Sequence, residues 1–329
     1  MYINLVFKYS LEVFLALSLI FNSIFIYLNL SDRKKTLGNY RYFLLSFSLF
    51  NTLYSIVETL IPVHVYGSNY VLIIYLGGGP FFKNEPYGQI AISIRCGFIS
   101  LSYGILTINF FYRYFALFNP PIVGKLTSKR GIVCLSIVFI AHGVIWTTLC
   151  ETFLYSTDDA REIAREEFLD ILNLNISEVP FLNLVFKSPD ISTVYRCWIG
   201  ISILAVISGT SITLYCVLGY KIFKKLQDAH HISNNTRKLH RQLFRTLAIQ
   251  TAIPTLISFV PCMIVWFIPF FGIHMEHYGN IAMIALSAFP SIDAIAVILL
   301  LPIYRNRFTK HGNKMSTVTA VQPSMTRNS

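Results

Sequence analysis

Residues 108–120 read INFFYRYFALFNP, an apolar and aromatic stretch with one arginine, Arg113, between Tyr112 and Tyr114. In the core of a soluble protein an unpaired guanidinium carries a large desolvation cost, so such an arginine needs a partner or an exposed position. The stretch ends an apolar run that begins near residue 90, and a helix needs only about 20 residues to cross a hydrocarbon core. This run therefore predicts a membrane helix with an arginine near its end.

The rest of the chain has the same character. Of its 329 residues 54% are hydrophobic and 13% are charged, whereas about 25% are charged in soluble domains. Polar segments separate seven apolar runs of spanning length, at about residues 10–30, 42–63, 90–118, 131–152, 197–219, 243–268 and 279–303. We predict an all-α membrane protein, a seven-transmembrane helix bundle in residues 1–308. Residues 309–329, rich in Ser and Thr and poor in apolar residues, are predicted to form a disordered cytoplasmic tail.

The net charge of +11 would suggest a nucleic-acid partner in a soluble protein, but its distribution indicates a membrane topology instead. Cytoplasmic loops of membrane proteins carry an excess of Lys and Arg. We predict an outside N-terminus and a cytoplasmic C-terminus in the plasma membrane, with no nucleic-acid partner. This topology puts 20 of the 27 basic residues on the cytoplasmic side: Arg33, Lys34, Lys35, Arg41, Arg113, Lys125, Lys129, Arg130, Lys221, Lys224, Lys225, Arg237, Lys238, Arg241, Arg245, Arg305, Arg307, Lys310, Lys314 and Arg327.

The long outer loop, residues 153–196, contains the sequon Asn175-Ile176-Ser177, which predicts an N-linked glycan on Asn175. Three cysteines, Cys96, Cys150 and Cys197, lie near outer ends of spans, where a disulfide can persist. We favour a bridge from Cys96 to Cys197, with Cys150 as the competing partner.

Acidic residues inside membrane spans are functional candidates by default, and Glu12, Glu58 and Asp293 are of this kind. Asp293 lies in the inner half of the seventh span, at a depth comparable with that of Asn22 and Asn109. We predict one hydrogen-bonded cluster of these three residues, with Arg113 about one turn below Asn109. Such a network either switches between two states or packs statically.

Glu58 lies in the outer third of the second span and is predicted to face a cavity open to the outside. An apolar, aromatic region with a few polar groups is the usual composition of a small-molecule site. We expect this region to be lined at the same depth by Tyr103, Trp198, Ser202, Met263, Trp266 and Phe267.

Signatures of catalysis are weak. The chain has no phosphate loop and no G-x-S-x-G motif, and the HMEH sequence at 274–277 is a lone histidine pair in a short loop. We predict no enzyme activity, no cofactor and no metal site. A transporter would show a repeat in its hydropathy, and a ligand-gated channel subunit with seven spans would place its N-terminus inside. Both remain as alternatives.

Six stretches carry a family resemblance. They are NSIFIYL at 22–28, LGNYRYFLL at 37–45, LYSIVETLIPVHVYGS at 53–68, FYRYFALFNP at 111–120, LFRTLAIQTAIPTLISFVPC at 243–262 and FPSIDAIAVILLLPIYRNRF at 289–308. In this order and spacing the chain resembles the nematode serpentine chemoreceptors of the Str type, a group of seven-span receptors that includes odorant receptors.

The resemblance implies a G-protein-coupled receptor on sensory neurons, in their cilia, that detects a small odorant or a water-soluble attractant or repellent. It also implies a heterotrimeric G protein as partner. In such receptors the YRY at 112–114 would end the third helix as its coupling motif, and Asp293 would belong to a switch in the seventh helix. The sequence has Ala294 where the pattern has a proline, so the resemblance does not decide whether the seventh helix is kinked at this position.

Overall fold

The computed structural model describes residues 2–31, 38–68, 70–82, 87–158, 160–162, 165, 168, 176, 179–228, 234–275, 278–302 and 304–305. Within these residues seven helices are long and apolar enough to cross a membrane, which confirms the predicted bundle. The helices are α1 (Tyr2–Leu30), α2 (Tyr40–Leu60), α3 (Tyr87–Phe118), the short α4 (Pro120–Leu126), α5 (Lys129–Phe153), α6 (Ile191–Gln227), α7 (Asn234–Pro254), α8 (Val260–Phe267) and α9 (Tyr278–Leu300). The sixth span consists of α7, a π-helical turn (Thr255–Phe259), α8 and a 3-10 turn (Ile268–Phe271).

The fifth span is longer than its apolar run predicts. It was expected at 197–219, and α6 extends it at both ends. At its start the Asp190 carboxylate accepts hydrogen bonds from the backbone N–H groups of Ser192 and Thr193, which caps the helix. At its end Lys224 and Lys225 occupy the last turn, where positive charge is favourable beside the free carbonyls.

Small residues let α3 approach α5 closely. A side chain at Gly97 would meet the Thr147 hydroxyl at 2.3 Å, and one at Gly143 would meet Leu101 at 2.8 Å. Glycines at such contacts allow backbones to pack tightly where lipid supplies no hydrophobic force between helices. Helix α3 is consequently the most buried of the seven spans, with two thirds of its most apolar segment inside the protein.

Prolines interrupt the last two spans. Pro254 ends α7, and the π-helical turn follows it directly. Pro290 lies inside α9, three residues before Asp293. A proline inside a helix removes a hydrogen bond of the preceding turn and kinks the chain. The seventh span therefore contains a proline, Pro290, one turn before Asp293, although the residue directly after Asp293 is Ala294.

A three-stranded antiparallel sheet covers one end of the bundle, and the sequence analysis did not predict it. Strands β1 (Val63–Ser68) and β2 (Val71–Leu76) form a hairpin directly after α2, and β3 (Phe181–Val185) pairs with β2. The sheet is buried among the helix ends. The signal was present, because VHVYGSNYVLIIYL is rich in β-branched and aromatic residues on both sides of the sequence Gly-Ser-Asn.

The two ends of the bundle differ in composition. The end that carries the sheet, called the sheet end, also receives the start of α1, where Phe7 contacts His64 of β1. At the opposite end lie the start of α2, the end of α3, α4 and the start of α7. We call it the basic end, because it carries exposed Lys125, Lys129, Lys225 and Arg241.

Candidate functional site

A buried ion pair connects α2 to α3 in the half of the bundle toward the sheet end. Arg95 donates through Nη2 to Glu58 Oε1 and through Nη1 to the Tyr54 hydroxyl, the latter at 3.4 Å. Glu58 is 2% exposed and Arg95 5%. The expectation that Glu58 faces an open cavity is therefore wrong, because the pair and the rings around it enclose the carboxylate.

This pair has unused hydrogen-bonding capacity. Among the residues that the structure describes, Arg95 Nε has no hydrogen-bond partner. The Tyr54 ring below the guanidinium lies 4.8 Å from the ring of Phe289 in α9. Four polar or aromatic side chains from three helices thus meet at one point. A ligand or a helix shift that engages the free N–H would act on all three.

An aromatic cluster lies beside the pair. Tyr103 of α3 packs on Phe259 with 4.0 Å between ring centres, and Trp146 of α5 lies 6.1 Å from Trp266 of α8. The Tyr215 hydroxyl of α6 donates to the Tyr103 carbonyl at 2.7 Å. Side chains from α3, α5, α6 and the sixth span therefore converge here.

The structure brings together only some of the predicted pocket residues. Tyr103 and Trp266 belong to the aromatic cluster, and Met263 and Phe267 are half-buried on the same helix as Trp266. Trp198 lies farther out and packs against Phe186 and Phe270. Ser202 is exposed on the surface of α6, because the inward face of that helix at this depth carries Cys197, Ile201, Leu204 and Ser208. Ser202 is thus removed from the predicted set.

Polar residues form a second network near the middle of the bundle. Asp293 Oδ2 of α9 accepts from Asn51 Nδ2 at 2.9 Å and from Gln250 Nε2 at 3.4 Å. Asn22 Nδ2 of α1 donates to the Pro290 carbonyl, and its Oδ1 accepts from Ser48 at 2.9 Å. The network joins α1, α2, α7 and α9.

The expected triad of Asn22, Asn109 and Asp293 is only partly correct. Asn22 and Asp293 join through α2 and the Pro290 carbonyl, but Asn109 donates to the Ile105 carbonyl of its own helix. Asn109 faces the gap between α2 and α5 instead. The side chains that complete the network, Asn51 and Gln250, were missed by the sequence analysis.

Arg113 lies at the basic end among aromatic rings. Its guanidinium carbon is 3.2 Å from the centre of the Tyr40 ring, and the side chain is 4% exposed. Tyr112 packs against Tyr40 and Phe43, with 5.7 and 4.3 Å between ring centres, while Tyr114 is half-buried and stacks on Phe118. Within the described part of the chain, Arg113 Nε and Nη2 have no hydrogen-bond partner. An aromatic face thus covers Arg113, and His240 of α7 lies near it.

Comparison with known proteins gives the family. Residues 1–308 match the family described as "Serpentine type 7TM GPCR chemoreceptor Srj". The chain belongs to this family. It is a serpentine receptor of the Srj type, whereas the motifs resemble the Str type, and Str-named proteins are among its relatives.

Three relatives show how far the likeness extends. Serpentine receptor class J-38 of Caenorhabditis elegans is 31% identical over 94% of this chain and 94% of its own length. Serpentine receptor class r-10 of the same species is 24% identical over 84% and 82%. G-protein coupled receptor str-33, also of C. elegans, is 23% identical over 89% and 87%. The receptor is therefore similar to these proteins over nearly its whole length.

The cysteines of this serpentine receptor are arranged differently from the favoured bridge. All six are free thiols. Cys150 lies beside Cys96 across the α3–α5 contact, and Cys197 Sγ lies 3.8 Å from the Asn183 carbonyl oxygen. Since the tight helix contact brings Cys150 to Cys96, the competing partner is the neighbour and Cys197 is not.

Other predicted positions of the receptor carry less information. Asn175 lies outside the described residues. Glu12 is exposed on α1 and takes no part in either polar network. Arg95 was missed, although a basic residue within a span is as much a functional candidate as an acidic one.

Proposed function

We propose that this receptor binds a small environmental molecule in the half of the bundle toward the sheet end and signals to a heterotrimeric G protein at the basic end. The observation that carries the proposal is the buried Glu58–Arg95 pair beside the aromatic cluster. Charges are costly inside a membrane protein and mark functional positions. An odorant or a water-soluble attractant or repellent, bound against these groups, would shift the helices that carry them.

The topology belongs to the proposal. With the N-terminus outside, the sheet end faces the surroundings and the basic end faces the cytoplasm, as the excess of Lys and Arg there favours. The long loop then lies outside, where Asn175 would be glycosylated. Plasma-membrane localisation follows, and by likeness to serpentine chemoreceptors the place is the cilium of a sensory neuron.

The route from ligand to G protein runs through the polar network. Asp293 accepts from α2 and α7, so a shift of either helix changes its hydrogen bonds. Arg113 lies between this network and the basic surface, and its Nε and Nη2 have no hydrogen-bond partner in the described part of the chain. When the helices part, these donors become available to an acceptor on the G protein. A ligand shifts this equilibrium by its differential affinity for the two states.

One experiment tests the proposal directly. Cells that express the full chain with a reporter G protein are exposed to a panel of volatile and water-soluble compounds, and calcium is recorded. The expected result is a response to some compounds that requires guanine-nucleotide exchange on the Gα subunit. A current that persists when exchange is blocked would favour the channel alternative, and labelled-compound uptake in vesicles would favour the transporter.

A topology control accompanies the assay. An N-terminal tag is expected to be labelled on intact cells and a C-terminal tag only after permeabilisation. Asn175→Gln should remove the N-linked glycan. A C-terminal tag labelled on intact cells would overturn the proposed orientation.

A further inference from the structure

A buried histidine ties the sheet to the start of the seventh span. His64 Nδ1 of β1 lies 3.0 Å from Asn280 Oδ1 of α9, and the backbone N–H of Val65 donates to the same oxygen at 3.4 Å. We call this contact the sheet latch. We propose that acid is a second stimulus of this receptor, and that a proton bound at His64 Nε2 opens the sheet latch and activates the receptor without a bound small molecule. This inference rests on the proposed function, because both stimuli use the same output.

The hydrogen bonds of the sheet latch decide which ring nitrogen takes the proton. An amide oxygen can only accept, so Nδ1 of the neutral His64 ring carries the hydrogen and donates it to Asn280. Nε2 is then the basic atom. It lies against Gly77, where a Cβ would be 2.2 Å away, so only glycine leaves room for the ring. Among the described residues Nε2 has no hydrogen-bond partner, and an added Nε2–H would therefore be buried unpaired.

The surroundings of His64 are unfavourable for a charged ring. The side chain is 5% exposed and packs between Phe7 of α1 and Tyr75 of β2, with 4.1 and 5.5 Å between ring centres. In the part of the chain that the structure describes, Tyr75 is the titratable group that faces the ring, and α9 presents a neutral amide. Lys8 and Glu12 of α1 are exposed, away from the buried face that carries Phe7. Burial therefore lowers the pKa of His64 to about 4, and the amide hydrogen bond opposes this only in part.

The sheet latch holds the part of α9 that leads to the polar network. Gly279 lies so close to β1 that a Cβ there would be 2.7 Å from the Val65 carbonyl oxygen. From this contact α9 continues to Asp293, roughly 20 Å away at the helical rise, and Pro290 interrupts the helix in between. A proline within a helix removes a backbone hydrogen bond and is a common position for a kink. Release of the first turns of α9 therefore lets them tilt relative to the part that carries Asp293.

The direction of the effect follows from the state that the sheet latch holds. In this state the Tyr40 ring covers Arg113, the residue proposed to contact the G protein. A proton binds more tightly to the open latch, where a solvated histidine has a pKa of about 6.5, than to the closed one. Acid therefore raises the ratio of open to closed latch, by up to about tenfold for each pH unit between 6.5 and 4. Signalling should rise with it.

The test uses cells that express the full chain with a reporter G protein. Calcium is recorded while the external pH is stepped from about 7.5 to about 4.5, in a buffer that does not cross the membrane and with no panel compound present. Cells without the receptor give the background, and signals are compared per surface receptor. His64→Phe keeps a ring but cannot titrate. His274→Phe, at an exposed histidine of the sheet end, is the matched control.

A second variant tests the same idea with the histidine in place. In Asn280→Asp a carboxylate pairs with the imidazolium inside the closed latch, so that protonation no longer favours opening. The receptor-dependent acid signal should therefore fall about tenfold or more in both Asn280→Asp and His64→Phe, and change less than about twofold in His274→Phe. All three variants should still respond to any panel compound that activates the wild type.

Three results would overturn the acid stimulus. They are a wild-type receptor that responds to a panel compound but not to acid, an acid signal of normal size in His64→Phe or Asn280→Asp, and an acid signal that persists when nucleotide exchange on Gα is blocked. The first of these leaves the proposed function intact. A wild-type receptor at the cell surface that responds neither to acid nor to any compound would count against both.

Discussion

The guanidinium carbon of Arg113 lies 3.2 Å from the centre of the Tyr40 ring, so that an aromatic face at the start of α2 covers a cation at the end of α3. The Tyr40 side chain is 2% exposed and its hydroxyl has no hydrogen-bond partner among the described residues. A desolvated cation on an aromatic face gains about 2 kcal/mol. Among the described residues this contact holds Arg113 without a carboxylate, and α2 must move relative to α3 before Nε and Nη2 are exposed to a partner.

Removal of the Tyr40 ring should therefore raise the basal signalling that the receptor shows in the absence of ligand. In Tyr40→Leu we expect higher basal activity, because the guanidinium loses the face that covers it. Arg113→Ala should leave ligand binding measurable and reduce signalling, and Arg113→Lys should be only partly active, since an ammonium lacks the planar fork. Tyr220→Leu, at a 66% exposed tyrosine on α6, is the matched control. Basal nucleotide exchange per surface receptor is the measurement, and wild-type values in Arg113→Ala would mean that the arginine only anchors the helix.

Variants in the polar network around Asp293 can distinguish a conformational switch from static packing. Asp293→Asn keeps the size of the side chain but replaces one carboxyl oxygen by an N–H donor beside the amides of Asn51 and Gln250. If the network is a switch, the variant should change the ratio of basal to maximal response at equal surface expression, and Asn51→Ala should change it in the same way. Dose-response curves with surface labelling measure this. Lower expression with an unchanged ratio would indicate a packing role.

His64 makes the stability of the sheet end depend on pH. Burial lowers its pKa to about 4, against a partial opposing effect of the hydrogen bond to Asn280 at 3.0 Å. Because this pKa is lower in the folded state than in the unfolded state, the neutral ring stabilises the fold at pH above about 6.5, and the stabilisation is lost as pH falls toward 4. The loss amounts to at most on the order of 3 kcal/mol.

Thermal unfolding of the purified receptor between pH 4 and 7.5 checks this expectation. The midpoint temperature should fall as the solution is acidified through this window. His64→Phe keeps a ring for the contacts with Phe7 and Tyr75 and cannot titrate, so its curve should be flatter. Equal slopes for both proteins would assign the pH dependence to other groups.

Sequence was sufficient for the parts of the fold that a local pattern determines. Seven apolar runs gave seven spans, because spanning length and hydropathy are properties of each segment alone. The hairpin at 63–76 was not predicted because its apolar run is too short for a span. The strand that completes its sheet, β3, comes from a distant loop.

The site was harder to predict because it depends on which face of each helix turns inward. Ser202 and Trp198 have suitable depth, yet the helical phase of α6 turns Ser202 outward. Arg95 and Glu58 lie on separate helices, so no single stretch shows that they pair. Polar residues were judged one by one, whereas their roles here follow from partners on other spans.

The positions of the cysteines predict which two thiols can form a disulfide. Mild oxidation of the receptor should join Cys96 to Cys150, since the two side chains are neighbours across α3 and α5. Mass spectrometry of non-reduced peptides measures the link, and Cys150→Ser should abolish it while Cys197→Ser leaves it unchanged. A peptide that joins Cys96 to Cys197 would contradict the arrangement of the sheet end.

The Glu58–Arg95 pair allows the structural and the functional role of a buried charge to be separated. Removal of one partner leaves the other charge buried and alone, which costs about 3–5 kcal/mol. Glu58→Gln and Arg95→Gln should therefore each lower surface expression. Replacement of both partners by apolar residues of similar volume, Glu58→Leu with Arg95→Met, is often neutral for stability. The double variant should recover surface expression toward the wild-type level.

Ligand response decides what the pair is for. If the ligand engages Arg95 or Glu58, the double variant should reach the surface and fail to respond, while constitutive activity introduced by Tyr40→Leu should persist in it. If the pair only holds α2 against α3, the double variant should respond with nearly normal potency. Glu58→Gln should fall between these cases, with altered potency and a largely intact maximal response in the receptors that reach the surface. Paired binding and dose-response measurements at matched surface expression distinguish the outcomes, and a normal response from the double variant would remove this pair from the ligand site.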